Sequence, residues 1–154
     1  MVNKIANLHN MEQLGFQIIK GDLFSTEDHF SLAHCVSKDL AMGKGIAKEF
    51  KKRFGGISIL REQNPEIGSV VYLQTPLRFI FYLVTKNLYS DKPTYESLTH
   101  SLQSMKSVCL SNNIHHLSLP KIGCGLDKLS WDRVLPIIQE IFPPDAFQIK
   151  IYTP

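Results

Sequence analysis

The chain has 154 residues, of which 44% are apolar and 20% are charged, and its formal net charge is +3 at pH 7. This length suits a single domain, which would bury about 68–70% of the surface of its unfolded chain. The composition excludes a disordered chain, and the lack of any apolar run of about 18 residues excludes a membrane-spanning helix.

The amino-terminal sequence shows no targeting segment. Residues 1–20, MVNKIANLHNMEQLGFQIIK, lack the apolar core and the cleavage site of a secretory signal, so we expect the protein to remain inside the cell. No repeat, linker or low-complexity tract divides the rest of the sequence. We therefore assign residues 1–15 to an amino-terminal extension and residues 16–154 to one folded domain.

Six short apolar runs, rich in β-branched and aromatic residues, predict β-strands. They lie at Phe16–Ile19, Ser31–Val36, Val70–Leu73, Phe79–Thr85, His116–Leu119 and Phe147–Tyr152. Only a few residues around Pro76 separate the third run from the fourth, and this short connection predicts a β-hairpin.

Apolar residues at helical spacing predict at least three helices between these strands. The helical patterns cover residues 46–54, 95–109 and 131–142. Thr94 and Ser130 are candidate N-caps, and Pro143 ends the last helix because proline cannot continue one. Alternating strands and helices predict an α/β fold of three layers, α/β/α, and the hairpin makes its central β-sheet mixed.

Two glycine-containing loops are candidate anion sites. Gly43 and Gly45 precede a helical pattern, and Gly123 and Gly125 follow a buried strand, so both loops can present backbone N–H groups to a phosphate. Each loop taken alone can also be an ordinary turn, and the Walker pattern is absent. Two such loops after different strands can hold the two sides of a diphosphate, which favours a nucleotide ligand.

One amine and one carboxylate follow two predicted strands. Lys86 ends the stretch RFIFYLVTK and Asp127 ends LSLPKIGCGLD, and ligands of open α/β sheets bind beyond such strand ends. Lys86 alone can mark a strand reaching solvent, and Asp127 alone can favour a helix N-terminus. As a pair they predict catalysis, with Asp127 taking the ammonium proton while Lys86 attacks an electrophilic carbon.

Other catalytic centres fit the sequence less well. His34 and Cys35 are neighbours in a predicted strand and therefore point to opposite faces of the sheet. The histidines lack the spacing of zinc-binding motifs, and the three cysteines form no CxxC pair, so we expect reduced thiols, no metal and no cofactor. A nucleophilic Cys124 remains as a remote alternative for which no partner base is identifiable.

Seven ordered stretches carry a family resemblance across nearly the whole chain after residue 15. They are KGDLF (20–24), LAHCVS (32–37), MGKGIA (42–47), FKKRFGG (50–56), FYLVTK (81–86), KPTYESL (92–98) and LPKIGCGLD (119–127). On these stretches the chain resembles the macrodomain family, and within it the branch of terminal ADP-ribose protein glycohydrolases of the lysine/aspartate type. Many macrodomains have an asparagine-rich stretch where this chain has LAHCVS, so lysine chemistry has to supply the reaction here.

The resemblance implies an ADP-ribose cleft with the adenine near Asp22 and Leu23 and the diphosphate between the two glycine loops. It also implies that Lys86 is the nucleophile at the anomeric carbon of the distal ribose and that Asp127 is the base or acid. The substrate-binding residues that it implies are Asp22, Leu23, Ser37, Met42, Gly43, Gly45, Lys121, Ile122, Gly123, Cys124, Gly125, Leu126, Tyr152 and Pro154.

The activity that the resemblance implies is hydrolysis of mono-ADP-ribose, or terminal ADP-ribose, from glutamate or aspartate of modified proteins. It extends to deacetylation of O-acetyl-ADP-ribose and to ADP-ribosylated nucleic acid. The expected partners are ADP-ribose, ADP-ribosylated proteins, and poly(ADP-ribose) or ADP-ribosylated nucleic acid, with no membrane. We expect a monomer of the nucleus and cytoplasm that acts in the DNA damage response. A non-catalytic ADP-ribose reader is the alternative, and the presence of both Lys86 and Asp127 favours the enzyme.

Overall fold

The computed structural model describes residues 15–154, so the predicted extension lies outside the described residues except for Gly15, which begins the first strand. The six strands are β1 (Gly15–Lys20), β2 (Ser31–Ser37), β3 (Val70–Gln74), β4 (Phe79–Lys86), β5 (His116–Pro120) and β6 (Gln148–Thr153). The four α-helices are α1 (Gly45–Phe54), α2 (Ile57–Glu62), α3 (Tyr95–Ser111) and α4 (Trp131–Ile141), and a 3-10 helix covers Leu23–Ser25. None of the helices in this range combines the length and apolar character needed to cross a bilayer.

All six predicted strands and the three predicted helices are confirmed, whereas α2 and the 3-10 helix were not predicted. Gly55 and Gly56 separate α1 from α2, with φ of 56° and 70°. This left-handed backbone region favours glycine, so the pair lets the chain end one helix and begin the next without an intervening loop.

The strands form one mixed sheet in the order β1-β6-β5-β2-β4-β3. The strand β3 is antiparallel to β4, with Tyr72 opposite Phe81, and the backbone N–H of Thr75 donates to the carbonyl of Arg78 at 2.9 Å in the turn between them. The predicted hairpin is therefore confirmed. The other paired strands are parallel, so the carboxyl ends of β1, β6, β5, β2 and β4 meet at one edge of the sheet.

Each face of the sheet packs against its own pair of helices. On β2, Leu32 belongs to a core with Phe50 of α1, and its neighbour Ala33 belongs to a second core with Leu98 of α3 and Val134 of α4. Successive strand residues point to opposite faces, which explains this division. The fold is the predicted three-layer α/β/α arrangement.

Two serines of α3 hold the end of β4 in place. The buried hydroxyl of Ser97 donates to the Thr85 carbonyl at 2.7 Å, and that of Ser101 donates to the Val84 carbonyl at 2.8 Å. Buried polar groups need such partners, and here the partners are the backbone just before Lys86. The helix therefore fixes the strand end that carries the candidate nucleophile.

The two predicted N-caps behave differently. Thr94 accepts a hydrogen bond from the backbone N–H of Ser97 and forms a capping box with it, as predicted for α3. Ser130 occupies the N-cap position of α4, as predicted, but its side chain makes no capping hydrogen bond. Its backbone N–H instead donates to the Tyr95 hydroxyl at 3.0 Å, which ties the start of α4 to α3.

Candidate active site

A cleft of about 1500 Å³ lies along the edge where the five parallel strands end. The segments after β1 and β6 line one end of it, the loops after β5 and β2 line the middle, and the segment after β4 lines the other end. Four strand spacings of about 4.8 Å put roughly 19 Å between the two ends. The volume exceeds the range of about 300–1,000 Å³ typical of small-ligand sites, so the cleft has room for an elongated ligand and for a group attached to it.

The end next to β1 and β6 offers a flat surface for a base. The Arg53 guanidinium lies 4.2 Å from the ring centre of Phe24, and Phe24 packs against the core that contains the buried side chains of Leu23 and Tyr152. Asp22 also lies here, and its carboxylate accepts a hydrogen bond from the Phe24 backbone N–H at 3.0 Å. Neither Phe24 nor Arg53 was predicted as a site residue, because the two lie 29 positions apart and no local sequence pattern links residues at that distance.

The two glycine loops face each other across the middle of the cleft, and their glycines fall into two classes. Gly45 and Gly123 have φ of 59° and 72°, so the backbone itself favours glycine there. Gly43 and Gly125 have no such φ, and a Cβ added to either one would meet no atom within 4 Å. Because both also line the cleft, close approach of a ligand to the backbone explains these two glycines better than the fold does.

The predicted amine and carboxylate meet at the β4 end of the cleft. The Lys86 ammonium lies 2.6 Å from a carboxylate oxygen of Asp127, with side chains only 12% and 16% exposed. A register shift between Val36 and Ser37 places Ser37 opposite Lys86, and the backbone N–H of Lys38 donates to the Lys86 carbonyl at 2.8 Å. The loop after β2 thus supports the backbone of the lysine.

Asp39, which sequence reasoning missed, links the loop after β2 to the segment after β4. One carboxylate oxygen accepts hydrogen bonds from the Ser37 hydroxyl and the Ala41 backbone N–H, and the other accepts from the Tyr89 backbone N–H at 3.1 Å. Burial alone would raise the pKa of Asp39, but these hydrogen bonds hold that pKa below its ordinary value. The side chain therefore stays charged and holds both loops.

The thiols and the histidine near the cleft are poorly suited to nucleophilic chemistry. Burial and the nearby Asp127 carboxylate raise the pKa of Cys35, and burial raises the pKa of Cys124. His34 stacks on Phe50 with ring centres 3.7 Å apart, and burial lowers the pKa of its imidazole to about 3. Within the described part of the chain, no group of three His, Cys, Asp or Glu side chains is placed to hold a metal ion.

Every residue predicted for the site lines this one cleft. The structure brings Lys86 and Asp127 into contact and places Ser37 beside them, while their catalytic and binding roles stay predictions. The cleft also includes residues that were not predicted. They include Phe24, Arg53, Tyr89, Ser90, Lys92 and Lys128.

Comparisons with known proteins place this cleft in a family context. The sequence profile of the family described as Macro domain matches residues 33–138. The chain is 50% identical over 151 residues to the ADP-ribose glycohydrolase OARD1 of Bos taurus, covering 97% of this chain and 99% of that protein. It is also 50% identical over 135 residues to OARD1 of Homo sapiens, covering 88% and 89%. The solved macrodomain of Thermus aquaticus DarG matches with a TM-score of 0.80 at 23% identity, covering 90% of this chain and 98% of that chain, which shows a shared fold.

Proposed function

This chain belongs to the macrodomain family, and we propose that it is an ADP-ribose glycohydrolase, a hydrolase that releases ADP-ribose from carboxylate side chains of modified proteins. The observation that carries the proposal is the 2.6 Å contact between Lys86 and Asp127 at one end of the cleft. The two 50%-identical relatives named ADP-ribose glycohydrolase support it. A protein that only binds ADP-ribose would use the glycine loops but would gain nothing from an amine and a carboxylate at the far end.

The order of the strand ends suggests how the ligand lies in the cleft. The adenine lies at the β1 and β6 end, against Phe24 and Arg53, and the diphosphate lies between the loops that contain Gly43 and Gly125. The distal ribose then reaches Lys86. This placement uses the roughly 19 Å length of the cleft. One end of the cleft binds the base, the middle binds the diphosphate, and the other end carries out the reaction.

The contacts support a reaction with a lysine nucleophile. Asp127 takes a proton from the Lys86 ammonium, and the freed amine bonds to the anomeric carbon of the distal ribose. The bond from that carbon to the glutamate oxygen breaks, and the glutamate leaves as a carboxylate. Water then replaces the amine at the carbon and loses one proton to the solvent, and Asp127 returns its proton to Lys86, which releases ADP-ribose and restores the enzyme.

Parallel incubation with peptides carrying ADP-ribose on glutamate or on serine tests the proposed activity. We expect release from glutamate but not from serine, because a carboxylate is a far better leaving group than a serine alkoxide. O-acetyl-ADP-ribose with the acetyl group on the anomeric oxygen has the same type of ester and should also be hydrolysed. Binding of ADP-ribose without release from any substrate would show that the protein is a reader instead.

The proposed diphosphate position predicts a ligand-specific effect at two glycines. Gly43→Val and Gly125→Val should change the free energy of unfolding by about 0.5 kcal/mol or less, since a side chain there meets open space. Each should weaken ADP-ribose binding at least tenfold, about 1.4 kcal/mol, by filling the space of the diphosphate. Calorimetric titration and thermal unfolding measure the two quantities.

A third glycine supplies the matched control for these substitutions. Gly123→Ala should reduce thermal stability even without ligand, because φ is 72° and a Cβ would lie 2.9 Å from Leu129. If Gly43→Val and Gly125→Val bind ADP-ribose as tightly as the unmodified protein, the diphosphate does not lie between these loops.

A further inference from the structure

Asp39 lies behind the cleft rather than in it. The residues that line the cleft include Ser37 and Lys86 but not Asp39, so a ligand in the cleft would contact the neighbours of Asp39 and not Asp39 itself. These neighbours belong to two segments that carry the site, the loop after β2 (residues 38–44) and the segment after β4 (residues 87–92). Asp39 can therefore act on a ligand only by placing other groups.

The loop after β2 has a backbone conformation that its own residues disfavour. Leu40 and Met42 have φ of 55° and 43°, in the left-handed region that bulky side chains rarely adopt. Both side chains are buried, with 1% and 4% of their surface exposed, so the conformation is not that of a loose surface turn. Strain of this kind persists only where surrounding contacts enforce it, and it concentrates at functional sites.

The Asp39 carboxylate supplies contacts that enforce this conformation. One of its oxygens accepts a hydrogen bond from the Ala41 N–H at 3.1 Å, between the two left-handed residues, and another from the Ser37 hydroxyl. The second oxygen accepts from the Tyr89 N–H at 3.1 Å. One carboxylate thus joins the strained loop to the segment after β4.

The two joined segments meet beside the proposed nucleophile. The backbone N–H of Asp39 donates to the Asn87 carbonyl at 3.3 Å, which extends the pairing of β2 with β4 beyond Lys86. Ser37 lies opposite Lys86 in the sheet. Because the Ser37 hydroxyl donates its proton to Asp39, its oxygen remains a hydrogen-bond acceptor for a ligand in the cleft. Asp39 therefore fixes both the backbone next to Lys86 and the polarity of the neighbouring hydroxyl.

We propose that Asp39 is a positioning residue for the hydrolysis, which keeps Lys86 in the geometry that attack on the sugar requires. This role rests on the proposed function, in which Lys86 is the nucleophile. Attack requires the reacting atoms to lie about 3–3.5 Å apart and aligned, and a misplacement of about 1 Å can cost roughly 10²-fold in rate. Without the carboxylate, the strained loop would relax and the two segments beside Lys86 would no longer be held together.

The part of the loop that leads to Gly43 keeps other contacts. The Leu40 N–H donates to the Ser37 carbonyl at 2.9 Å. The Lys51 ammonium donates to the Ala41 carbonyl at 3.2 Å. Neither bond involves the carboxylate, so its loss should matter more for the rate of the reaction than for the affinity of ADP-ribose.

Replacing Asp39 with asparagine tests this role. Ala41 and Tyr89 donate backbone N–H groups to different oxygens, and an asparagine side chain has one acceptor oxygen, so it satisfies only one of the two. We expect Asp39→Asn to lower kcat for a glutamate-linked peptide by about 10- to 100-fold. The Kd of ADP-ribose should change by less than about threefold. Single-turnover release and calorimetric titration measure the two quantities.

Asp91→Asn is the matched control, because it removes the same charge from the segment after β4. The Asp91 carboxylate accepts a hydrogen bond from the Leu88 N–H at 2.9 Å, which an asparagine oxygen can also accept. Both kcat and Kd should therefore change by less than about threefold. Equal losses of kcat in Asp39→Asn and Asp91→Asn would show an effect of charge and overturn the positioning role.

A second variant and a stability measurement separate position from folding. Asp39→Glu keeps the charge and both acceptor oxygens, so its kcat should lie between those of the unmodified protein and Asp39→Asn. All rates are measured well below the midpoint of thermal unfolding of each variant. If Asp39→Asn loses kcat and ADP-ribose affinity to the same extent, Asp39 only supports the fold, and the positioning role is overturned.

The unmodified protein distinguishes this inference from the proposed function. If it releases ADP-ribose and Asp39→Asn does so with the same kcat, the positioning role is refuted and the glycohydrolase stands. If the unmodified protein releases no ADP-ribose, the glycohydrolase is refuted, and the role of Asp39 with it.

Discussion

Replacing Lys86 with alanine is expected to lower kcat for glutamate-linked substrate by about 10³-fold or more, the scale on which loss of an essential nucleophile acts. The variant lacks the amine that we propose as the nucleophile at the anomeric carbon, and Asp127 loses its partner at 2.6 Å. Binding of ADP-ribose should change by less than about tenfold, because the glycine loops and the Phe24–Arg53 surface are untouched. Single-turnover release of ADP-ribose and calorimetric titration measure the two effects separately.

A conservative variant shows whether Lys86 acts as a nucleophile or only as a positive charge. Lys86→Arg keeps the charge, but a guanidinium does not lose its proton in proteins and cannot attack, so we expect it to be as inactive as the alanine variant. Lys48→Ala removes an exposed lysine from α1 and should retain full turnover. Substantial turnover in Lys86→Arg would reduce the lysine to an electrostatic role, and full turnover in Lys86→Ala would remove it from the mechanism.

Replacing Asp127 with alanine is expected to slow turnover by about 10²- to 10⁴-fold, the usual contribution of a general acid or base. The amine remains and still reacts slowly with the sugar, but the proton that completes hydrolysis of the adduct is no longer delivered. We therefore expect ADP-ribose to accumulate covalently on Lys86. Mass spectrometry of the intact chain after borohydride reduction detects this adduct.

The matched variants for this experiment are Asp127→Asn and the double replacement of Lys86 and Asp127 by alanine. The asparagine keeps the shape of the side chain but not its charge, so it should also accumulate the adduct. The double variant lacks the amine and should show none. A slow Asp127→Ala enzyme that never shows an adduct would favour direct attack by water, with Asp127 as its base.

Much of the architecture follows from local sequence patterns. The run Phe79–Thr85 is apolar at nearly every position, which is typical of a strand buried on both faces, and it lies within β4 at the centre of a two-sided core. Pro76 between two apolar runs predicted the hairpin of β3 and β4. Lys86 and Asp127 were identified because each follows such a buried strand, and strand ends of a parallel sheet meet at one edge.

The missed features depend on contacts between distant parts of the chain. The bond between Asp39 and the Tyr89 backbone spans 50 positions, and Arg53 reaches Phe24 at the β1 and β6 end of the cleft. The periodicity of the sequence cannot predict such contacts, because they form only after the sheet has brought the strand ends together. The short helix α2 was missed for a different reason, since its six residues are too few to show a helical pattern.

Some expectations concern the cell and the assembly rather than the fold. Residence in the nucleus and cytoplasm, action in the DNA damage response, the monomeric state and the identity of the modified proteins stay predictions. The shape of the cleft indicates which chemical groups a substrate carries, and it does not report on location, pathway or assembly.

The unconstrained backbone at Gly43 and Gly125 has a consequence for variation in this protein. A library screened for soluble expression should accept bulky residues at both positions, whereas a library selected for nucleotide retention should recover only the smallest ones. Variants that are expressed at normal levels but no longer bind the nucleotide would therefore concentrate at these two sites. A screen that measures only thermal stability would not detect them.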